Sequence, residues 1–203
     1  MTRVQAARLI QALASMPRTM VALALVTGLR RGEILALEWK DFDASTRTLH
    51  VRQALYENQI DTPKTARSTR SIPLSEDTCA LLSDWASQVR YSADPDAFMF
   101  STRKGKPPAT SNILQRDIYP VCDALGLRRA SWLTFRRTFS SWSHDAGIPG
   151  KVTAELMGHA NMTTTMNIYT QVLPGAVRET AGRIEGNLFA LCSHPHSGPE
   201  HVN

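Results

Sequence analysis

The sequence predicts an α+β fold that is mainly α-helical and carries one small antiparallel β-sheet. Apolar residues recur at helical spacing through most of the 203-residue chain. Strand-like stretches are confined to residues 48–73. Hydrophobic residues make up 42% of the chain and charged residues 20%, which is the composition of a globular domain with a core. This composition excludes a disordered, collagen-like or disulfide-scaffold protein.

The first predicted helices have recognisable end signals. Thr2 is placed to cap a first helix whose apolar side chains share one face. A second, apolar helix is predicted over 17–27, and Gly28 is expected to end it in the left-handed conformation. A short third helix over 31–37 follows at once.

The rest of the chain is predicted as a small sheet followed by further helices. Strands are predicted over 48–56, 59–65 and 70–73, and together they form the antiparallel sheet. Helices are predicted over 75–89, 111–125, 134–146, 151–157, 162–169 and 174–191. Residues 192–203 contain Pro, Gly, Ser and three His, and we interpret them as a disordered tail.

The sequence offers no support for a metal site or a bound cofactor. The three tail histidines have no helical or hairpin frame and no Cys or acidic residue at ligand spacing. The chain contains no Gly-rich phosphate loop and no Cys-x-x-Cys, His-Glu-x-x-His or Gly-x-Ser-x-Gly pattern. Metal-dependent hydrolase, nucleotide-dependent and serine-hydrolase functions therefore lose their main support, and we expect no cofactor.

Positive charge is concentrated in one segment. The chain carries 23 Lys and Arg against 18 Asp and Glu, for a net charge of +5. Residues 101–137 hold eight of the basic side chains and only two acidic ones, and Arg103, Lys104 and Arg137 are among the basic group. Such a segment is typical either of a surface that faces a polyanion or of an ordinary solvated face. Charge alone does not distinguish the two.

Composition also bears on the cellular compartment. The three cysteines have no motif spacing, as expected for free thiols in a reducing cytoplasm. The longest uncharged apolar run, residues 20–26, is too short to span a membrane. The N-terminus lacks the apolar region of a signal peptide. We expect a soluble cytoplasmic protein.

Four segments stand out together in the sequence. They are Thr-Gly-Leu-Arg-Arg-Gly-Glu-Ile-Leu over 27–35, Pro-Lys-Thr-Ala-Arg-Ser-Thr-Arg-Ser-Ile-Pro over 63–73, Phe-Arg-Arg-Thr-Phe over 135–139, and Leu-Met-Gly-His over 156–159, with Tyr169 ten residues further on. In this order and at these gaps, the segments resemble the catalytic domain of the tyrosine recombinases, also called phage integrases. The resemblance covers residues 2–190.

The resemblance implies an enzyme that cleaves and rejoins DNA strands through a 3′-phosphotyrosyl intermediate, in site-specific recombination or integration. Double-stranded DNA is then the partner, neither metal nor ATP is required, and the protein is associated with the nucleoid. The catalytic domain would cover residues 1–191, without the helical DNA-binding domain that usually precedes it in the family. The family acts as a tetramer on DNA. Here the apolar stripe of helix 174–191 is able to dock on its own chain or on a neighbour.

The resemblance also assigns roles to individual residues. Arg30 and Arg136 would hold the non-bridging oxygens of the phosphodiester, since guanidiniums make planar, charge-assisted bonds to phosphate. Tyr169 would be the nucleophile. His159 would bind the phosphate and assist proton movement, and Lys64 would protonate the leaving 5′-oxygen.

Other residues of these segments have supporting roles in this interpretation. Glu33 matches an acidic residue that orients Arg30. The basic side chains expected to contact DNA are Arg67, Arg70, Arg103, Lys104 and Arg137.

Each assignment has an ordinary structural alternative. Arg30 and Glu33 are also spaced as a surface pair on a helix, and Arg136 is also placed as a solvated basic residue beside Arg137. His159 is also placed as a helix-capping residue, Tyr169 as a core or interface tyrosine, and Lys64 as a plain turn lysine. These alternatives stand or fall together with the family resemblance.

One position departs from the family pattern. The family's His-x-x-Arg motif reads Leu133-Thr134-Phe135-Arg136 here, and leucine donates no hydrogen bond. Loss of one such donor costs roughly 10²–10³ in rate, which slows an enzyme without abolishing it. His144 lies about 12 Å further along the predicted helix, so it is a poor substitute. A DNA-binding module of the same fold with weakened or lost catalysis is therefore the second interpretation, and a helical adaptor or RNA-binding domain is the third.

Overall fold

The computed structural model describes residues 1–57, 59–61 and 69–158. Its helices are α1 (Arg3–Ala12), α2 (Ser15–Thr27), α3 (Arg31–Ala36), α4 (Glu76–Gln88), α5 (Thr110–Asn112), α6 (Tyr119–Ala124), α7 (Trp132–Asp145) and α8 (Gly150–Met157). A 3₁₀ turn (Trp39–Asp41) follows α3, and a π-helical segment (Ile113–Ile118) joins α5 to α6. The strands are β1 (Phe42–Asp43), β2 (Thr48–Val51), β3 (Ala54–Tyr56), β4 (Gln59–Asp61) and β5 (Arg70–Pro73).

The predicted fold class is confirmed, with a refinement in how the strands pair. The strands β1, β2 and β5 form one antiparallel sheet in that order, and β3 and β4 form a separate antiparallel pair. In the three-stranded sheet, Val51 lies opposite Arg70 and Thr48 opposite Pro73. The two-residue strand β1, which was not predicted from the sequence, pairs with β2. This register fixes where β5 presents Arg70.

The helix α2 is the centre of the core. Its mostly apolar residues are buried almost throughout, and it packs against α1, α4 and α7. It ends as predicted at Gly28, whose φ of 65° is in the left-handed region. The ring of Phe139 occupies the position that a β-carbon on Gly28 would take. Only glycine therefore lets the chain turn here while α7 packs this closely.

The helix predicted over 111–125 is interrupted by a π-helical segment. Pro120 lies in the first turn of α6 and has no N–H to donate to the preceding turn. The N–H of Tyr119 reaches back five residues, to the carbonyl of Leu114, instead of the usual four. The widened turn accommodates the proline without ending the helical path.

The helices α7 and α8 carry the end signals that their sequences suggest. Ser131 caps α7 through reciprocal bonds with Thr134. The helix α8 ends at Gly158, which has a φ of 66°.

Among the described residues, every helix is too short or too polar to span a membrane. The remaining predictions, strand residues 62–65, helices 162–169 and 174–191, and the tail 192–203, lie outside the described residues.

Candidate active site

Arg30 is held at the junction between α2 and α3. It follows the turn at Gly28 and serves as the N-cap residue of α3, with an extended backbone (φ −73°, ψ 151°). One carboxylate oxygen of Glu33 accepts the backbone N–H of Arg30 at 2.7 Å, and the other accepts its Nη1 at 2.8 Å. A single acidic residue in the first turn thus satisfies an orphan helix donor and orients the guanidinium.

Arg70 reaches the same carboxylate from β5. Its Nη1 and Nη2 donate to the two oxygens of Glu33 at 3.0 and 2.9 Å, a bidentate pair. Its Nε donates to the carbonyl of Leu156 at 2.7 Å. Arg70 was expected from the sequence to be one of the DNA-contacting residues. The structure instead leaves its side chain only 8% exposed, because Glu33 and the main chain take up its donors.

Glu33 is a buried carboxylate whose charge is stabilised by these arginines. Burial alone would raise the pKa of Glu33, but the hydrogen bonds and charges of Arg70 and Arg30 outweigh it and lower the pKa below its ordinary value. Glu33 therefore stays ionised at neutral pH, and the two arginines share one negative charge.

Arg136 enters the cluster from the buried face of α7. Its Nη1 donates to the carbonyl of Gly28, and its Nη2 donates to the carbonyl of Met157 at 2.9 Å. Burial, together with the positive charge of Arg30, lowers the pKa of Arg136 to about 9. The guanidinium is still charged at neutral pH, and an added anion would relieve its unfavourable surroundings.

The C-terminal end of α8 is held by all three arginines. Arg70 and Arg136 bind the carbonyls of Leu156 and Met157, and Nη2 of Arg30 binds the carbonyl of Gly158 at 2.7 Å. These carbonyls have no partner within the helix and carry the negative end of its dipole, so they attract cations. A β-carbon on Gly158 would lie 2.5 Å from Nη1 of Arg70. The close approach therefore requires glycine at this position.

The cluster has an excess of positive charge and opens to solvent on one side. Three guanidiniums face one carboxylate. The Arg30 side chain is 44% exposed, in contrast to the buried Arg70 and Arg136. A surface cavity of about 450 Å³ lies in front of it, lined by Arg30, Arg31, Leu114, Ser131, Trp132, Leu133 and Arg136. The arrangement is suited to hold an oxyanion such as a phosphodiester.

Leu133 lines this cavity. It is 53% exposed, lies one turn before Arg136 on α7, and lines the same space as Arg30 and Arg136. Its side chain offers no hydrogen bond there. His144 is not among the described lining residues, and its Nδ1 is 3.9 Å from Asp145.

A second cavity, of about 640 Å³, adjoins the first. Its lining residues are Met1, Gln5, Leu127, Arg128, Arg129, Ser131, Thr134, Arg137, Thr138 and Ser141. Ser131 lines both cavities. Among the described residues, the lining of the second cavity has three arginines and no acidic residue, although Arg129 is paired with Asp123 at 2.8 Å. Arg128 and Arg137 are exposed.

The structure brings together some of the predicted site residues. Arg30, Glu33 and Arg136 meet in the cluster. Arg103 and Lys104 are exposed on the surface, as is Arg137. Lys64, Arg67, His159 and Tyr169 lie outside the described residues. In the described ranges, no group of His, Cys, Asp or Glu is arranged to hold a metal ion.

The buried position of Arg70 was missed from the sequence, although one signal for it was available. Arg70 and Ile72 are two residues apart on β5 and therefore share one face of the strand. Ile72 belongs to the apolar core, so a partly buried arginine beside it was to be expected.

Arg30 and Arg136 beside an open cavity, with Glu33 orienting Arg30, form a site suited to bind an oxyanion on a mainly helical domain. The family model described as "Phage integrase family" matches residues 1–175. The chain belongs to this family.

Relatives and solved structures agree with this assignment. The chain is 28% identical over 180 residues to a XerC-like tyrosine recombinase of Caldanaerobacter subterraneus, covering 77% of this chain and 46% of the relative. It is 26% identical over 181 residues to the ICEBs1 integrase of Bacillus subtilis, covering 83% of this chain and 48% of the relative. The chain thus spans about half the length of the curated relatives it matches.

Among solved structures, the fold is similar to the Tn1549 transposon integrase in complex with transposon right-end DNA. The TM-score is 0.79 at 24% identity, over 91% of this chain and 65% of the other. The XerA recombinase gives a TM-score of 0.72 at 23% identity, over 90% of this chain and 62% of the other. At these identities the likeness establishes the fold.

Proposed function

We propose that this chain carries the catalytic centre of a DNA breaking-rejoining enzyme that acts in site-specific recombination or integration. One observation supports this most strongly. Arg30 and Arg136, which are far apart in the sequence, line a single cavity, and Glu33 orients one of them. A phosphodiester carries one negative charge and gains more in its pentacoordinate transition state. Two guanidiniums at the non-bridging oxygens would stabilise this charge, each contributing roughly 10²–10³ in rate.

The proposed chemistry is a transesterification that conserves bond energy. The Tyr169 oxygen attacks the phosphorus, the bond to the 5′-oxygen breaks, and a 3′-phosphotyrosyl bond replaces it. A phenol of pKa about 10 is only about 0.1% ionised at neutral pH, so the proton must leave as the bond forms. His159 assists this transfer, and Lys64 gives a proton to the leaving oxygen. The reverse steps rejoin the strand without a metal ion or ATP.

Double-stranded DNA is the proposed substrate. The exposed basic residues are placed to contact its backbone beside the arginine cluster. Arg128 and Arg137 line the second cavity beside the arginine cluster. A backbone that places one phosphate at Arg30 and Arg136 would bring neighbouring phosphates to this surface. Such contacts fix the register of the protein on the duplex without reading its sequence. The protein would assemble on DNA as a tetramer that joins two duplexes, and it would be associated with the nucleoid.

A DNA-binding module of the same fold with weakened or lost catalysis is the second candidate function. The observation that favours it is Leu133, which lines the cavity where a hydrogen-bond donor would serve the phosphate. Loss of one donor of several slows such a reaction by roughly 10²–10³ and leaves the rest of the site in place. The intact arginine cluster therefore favours the enzyme.

The experiment that tests the proposal traps the covalent intermediate. The protein is incubated with a library of nicked duplexes of randomised sequence, complexes that resist SDS are recovered, and their DNA is sequenced. The nick lets the short cleaved fragment diffuse away, so the adduct accumulates. We expect adducts that share a common site and disappear in the Tyr169→Phe variant. Adducts that persist in Tyr169→Phe would refute the assigned nucleophile. DNA binding without any adduct, in the wild type and in Leu133→His, would favour the binding module.

A further inference from the structure

Resting on the proposed function, we propose that Arg70 is a positioning residue that keeps Arg30 available for the phosphate. It does so by holding the carboxylate of Glu33 with a bidentate pair of its own. Arg70 would then act on the reaction without contacting the DNA.

The first step of the argument is the sharing of Glu33. Its Oε1 accepts Nη1 of Arg30 at 2.8 Å and Nη1 of Arg70 at 3.0 Å. Its Oε2 accepts the backbone N–H of Arg30 at 2.7 Å and Nη2 of Arg70 at 2.9 Å. Arg30 therefore commits one side-chain nitrogen to the carboxylate, whereas Arg70 commits two. Without Arg70, each oxygen would lose one of its two donors, and Nη2 of Arg30 would be free to leave the Gly158 carbonyl and complete a bidentate pair with Glu33, which would offset the charge of Arg30.

The second step is that Arg70 is fixed independently of Glu33. Its Nε donates to the carbonyl of Leu156 at the end of α8, at 2.7 Å. Its backbone is held in the sheet, where Arg70 pairs with Val51 of β2. The guanidinium is therefore anchored by contacts that do not involve the carboxylate. Arg70 therefore fixes the position of the Glu33 carboxylate, and not the reverse.

The third step is the division of the two arginines between interior and cavity. Arg30 lines the open cavity together with Arg136, and Arg70 is not among the described lining residues. The buried arginine holds the carboxylate, and the exposed one is left facing the space where an oxyanion would bind. Arg70 thus offsets the negative charge of Glu33, so that the positive charges of Arg30 and Arg136 remain for an added anion.

The experiment measures binding of tungstate, a tetrahedral oxyanion similar to phosphate, by calorimetry at constant ionic strength. All proteins carry Arg137→Gln, which weakens anion binding in the second cavity. Arg70→Met is compared with Glu33→Gln and with the double variant. Arg52→Met is the matched control, because Arg52 also pairs with a buried carboxylate, Asp41 at 3.5 Å. Circular dichroism establishes that each variant is folded.

Arg70→Met should weaken tungstate binding much more when Glu33 is present than when it is replaced by Gln. Arg70→Met should weaken tungstate binding about tenfold, as loss of one charge-assisted interaction does. Glu33→Gln should raise the affinity of the parent for tungstate, because the amide keeps an acceptor for Arg30 but removes the negative charge that opposes the anion. Adding Glu33→Gln to Arg70→Met should restore the affinity to within about threefold of the parent, because Arg30 is no longer neutralised. Arg52→Met should bind tungstate like the parent.

A merely structural role for Arg70 gives a different pattern and would overturn the inference. In that case the double variant would bind tungstate as weakly as Arg70→Met, or more weakly. Should Arg70→Met fail to fold, Arg70→Lys with and without Glu33→Gln tests in the same way whether Glu33→Gln restores the affinity. Tungstate binding needs no strand cleavage. Recovery of tungstate binding by Glu33→Gln thus tests Arg70, whereas the absence of a Tyr169-dependent adduct would refute only the proposed reaction.

Discussion

Adjacent arginines on α7 belong to two different basic regions of this protein. Arg136 is buried, bound to main-chain carbonyls and close to two further arginines. Arg137 is exposed and lines the second cavity. The inner region consists of Arg30, Arg70 and Arg136, and burial there makes positive charge unfavourable. The outer region consists of Arg128, Arg129 and Arg137, which line the second cavity, and water screens their charge.

The contrast shows what each kind of basic residue contributes. A buried guanidinium with fixed partners is pre-organised, so little reorganisation is needed when an oxyanion arrives. An exposed guanidinium or ammonium adds attraction that falls with salt. We therefore expect the inner region to determine the chemistry and the outer region to determine affinity for DNA.

The largest expected effect separates these two neighbours. Arg136→Gln should lower the rate of adduct formation by roughly 10²–10³, since it removes a charge at the phosphate and leaves two carbonyls unbonded. Arg137→Gln is the matched control and should change the rate at saturating DNA less than about threefold. Quantified SDS-resistant adduct over time measures both. Equal losses of rate in the two variants would show that the two regions do not differ in what they contribute to the reaction.

The next effect concerns the turn that brings Arg30 into the inner region. Gly28→Ala should reduce the free energy of unfolding by about 3 kcal/mol, because a left-handed alanine is strained and its β-carbon meets the ring of Phe139. Gly126 has the same φ of 65°, and a β-carbon added there would have no atom within 4 Å, so Gly126→Ala is the control. It should cost about 1 kcal/mol. Urea denaturation compares the two. Similar losses would contradict the close packing of α2 on α7.

A gain of activity is expected from restoring a donor in the cavity. Leu133→His should raise the rate of adduct formation by up to about 10²-fold, because an imidazole can donate to the phosphate oxygen beside Arg136. Leu133→Gln, which supplies a neutral donor of similar length, should give a smaller gain. Single-turnover cleavage of the selected nicked duplex measures the rates. A decrease with both substitutions would indicate an apolar contact by Leu133 that the reaction requires.

The smallest effect is expected from the exposed basic residues of segment 101–137 that line neither cavity. Substituting Arg103 or Lys104 with Gln should weaken binding to all duplexes alike and reduce the slope of log K against log salt by about 1 each. Fluorescence anisotropy over a range of salt concentrations measures this slope. Arg47 is an exposed basic residue outside segment 101–137. Arg47→Gln is the control and should leave the slope unchanged. A sequence-dependent loss would instead indicate base contacts.

Local signals in the sequence predicted much of the fold. Thr2, Gly28 and Ser75 end or begin helices as expected, because capping depends on residues a few positions apart. The separate pairing of β3 with β4, and the π-helical segment before Pro120, were not predicted. Both depend on which groups find partners after the chain has folded.

The candidate site was predicted less completely than the fold. The family motifs indicated Arg30 and Glu33, which lie at the start of α3, and Arg136, which lies within α7. They gave no distinction between Arg70 and a surface arginine, because its burial depends on the register of β5 against β2. The contacts of the arginines with the carbonyls at the end of α8 could not be predicted either, because sequence patterns do not specify the partners of main-chain groups.

The most direct test of the central claim is a crystal structure of the Tyr169→Phe variant bound to the selected duplex. The account predicts that one phosphate of the cleaved strand lies within hydrogen-bonding distance of both Arg30 and Arg136. Glu33 should still be bridged by Arg70. A phosphate held only by the outer arginines, with Arg30 and Arg136 still occupied by their present protein partners alone, would contradict the account.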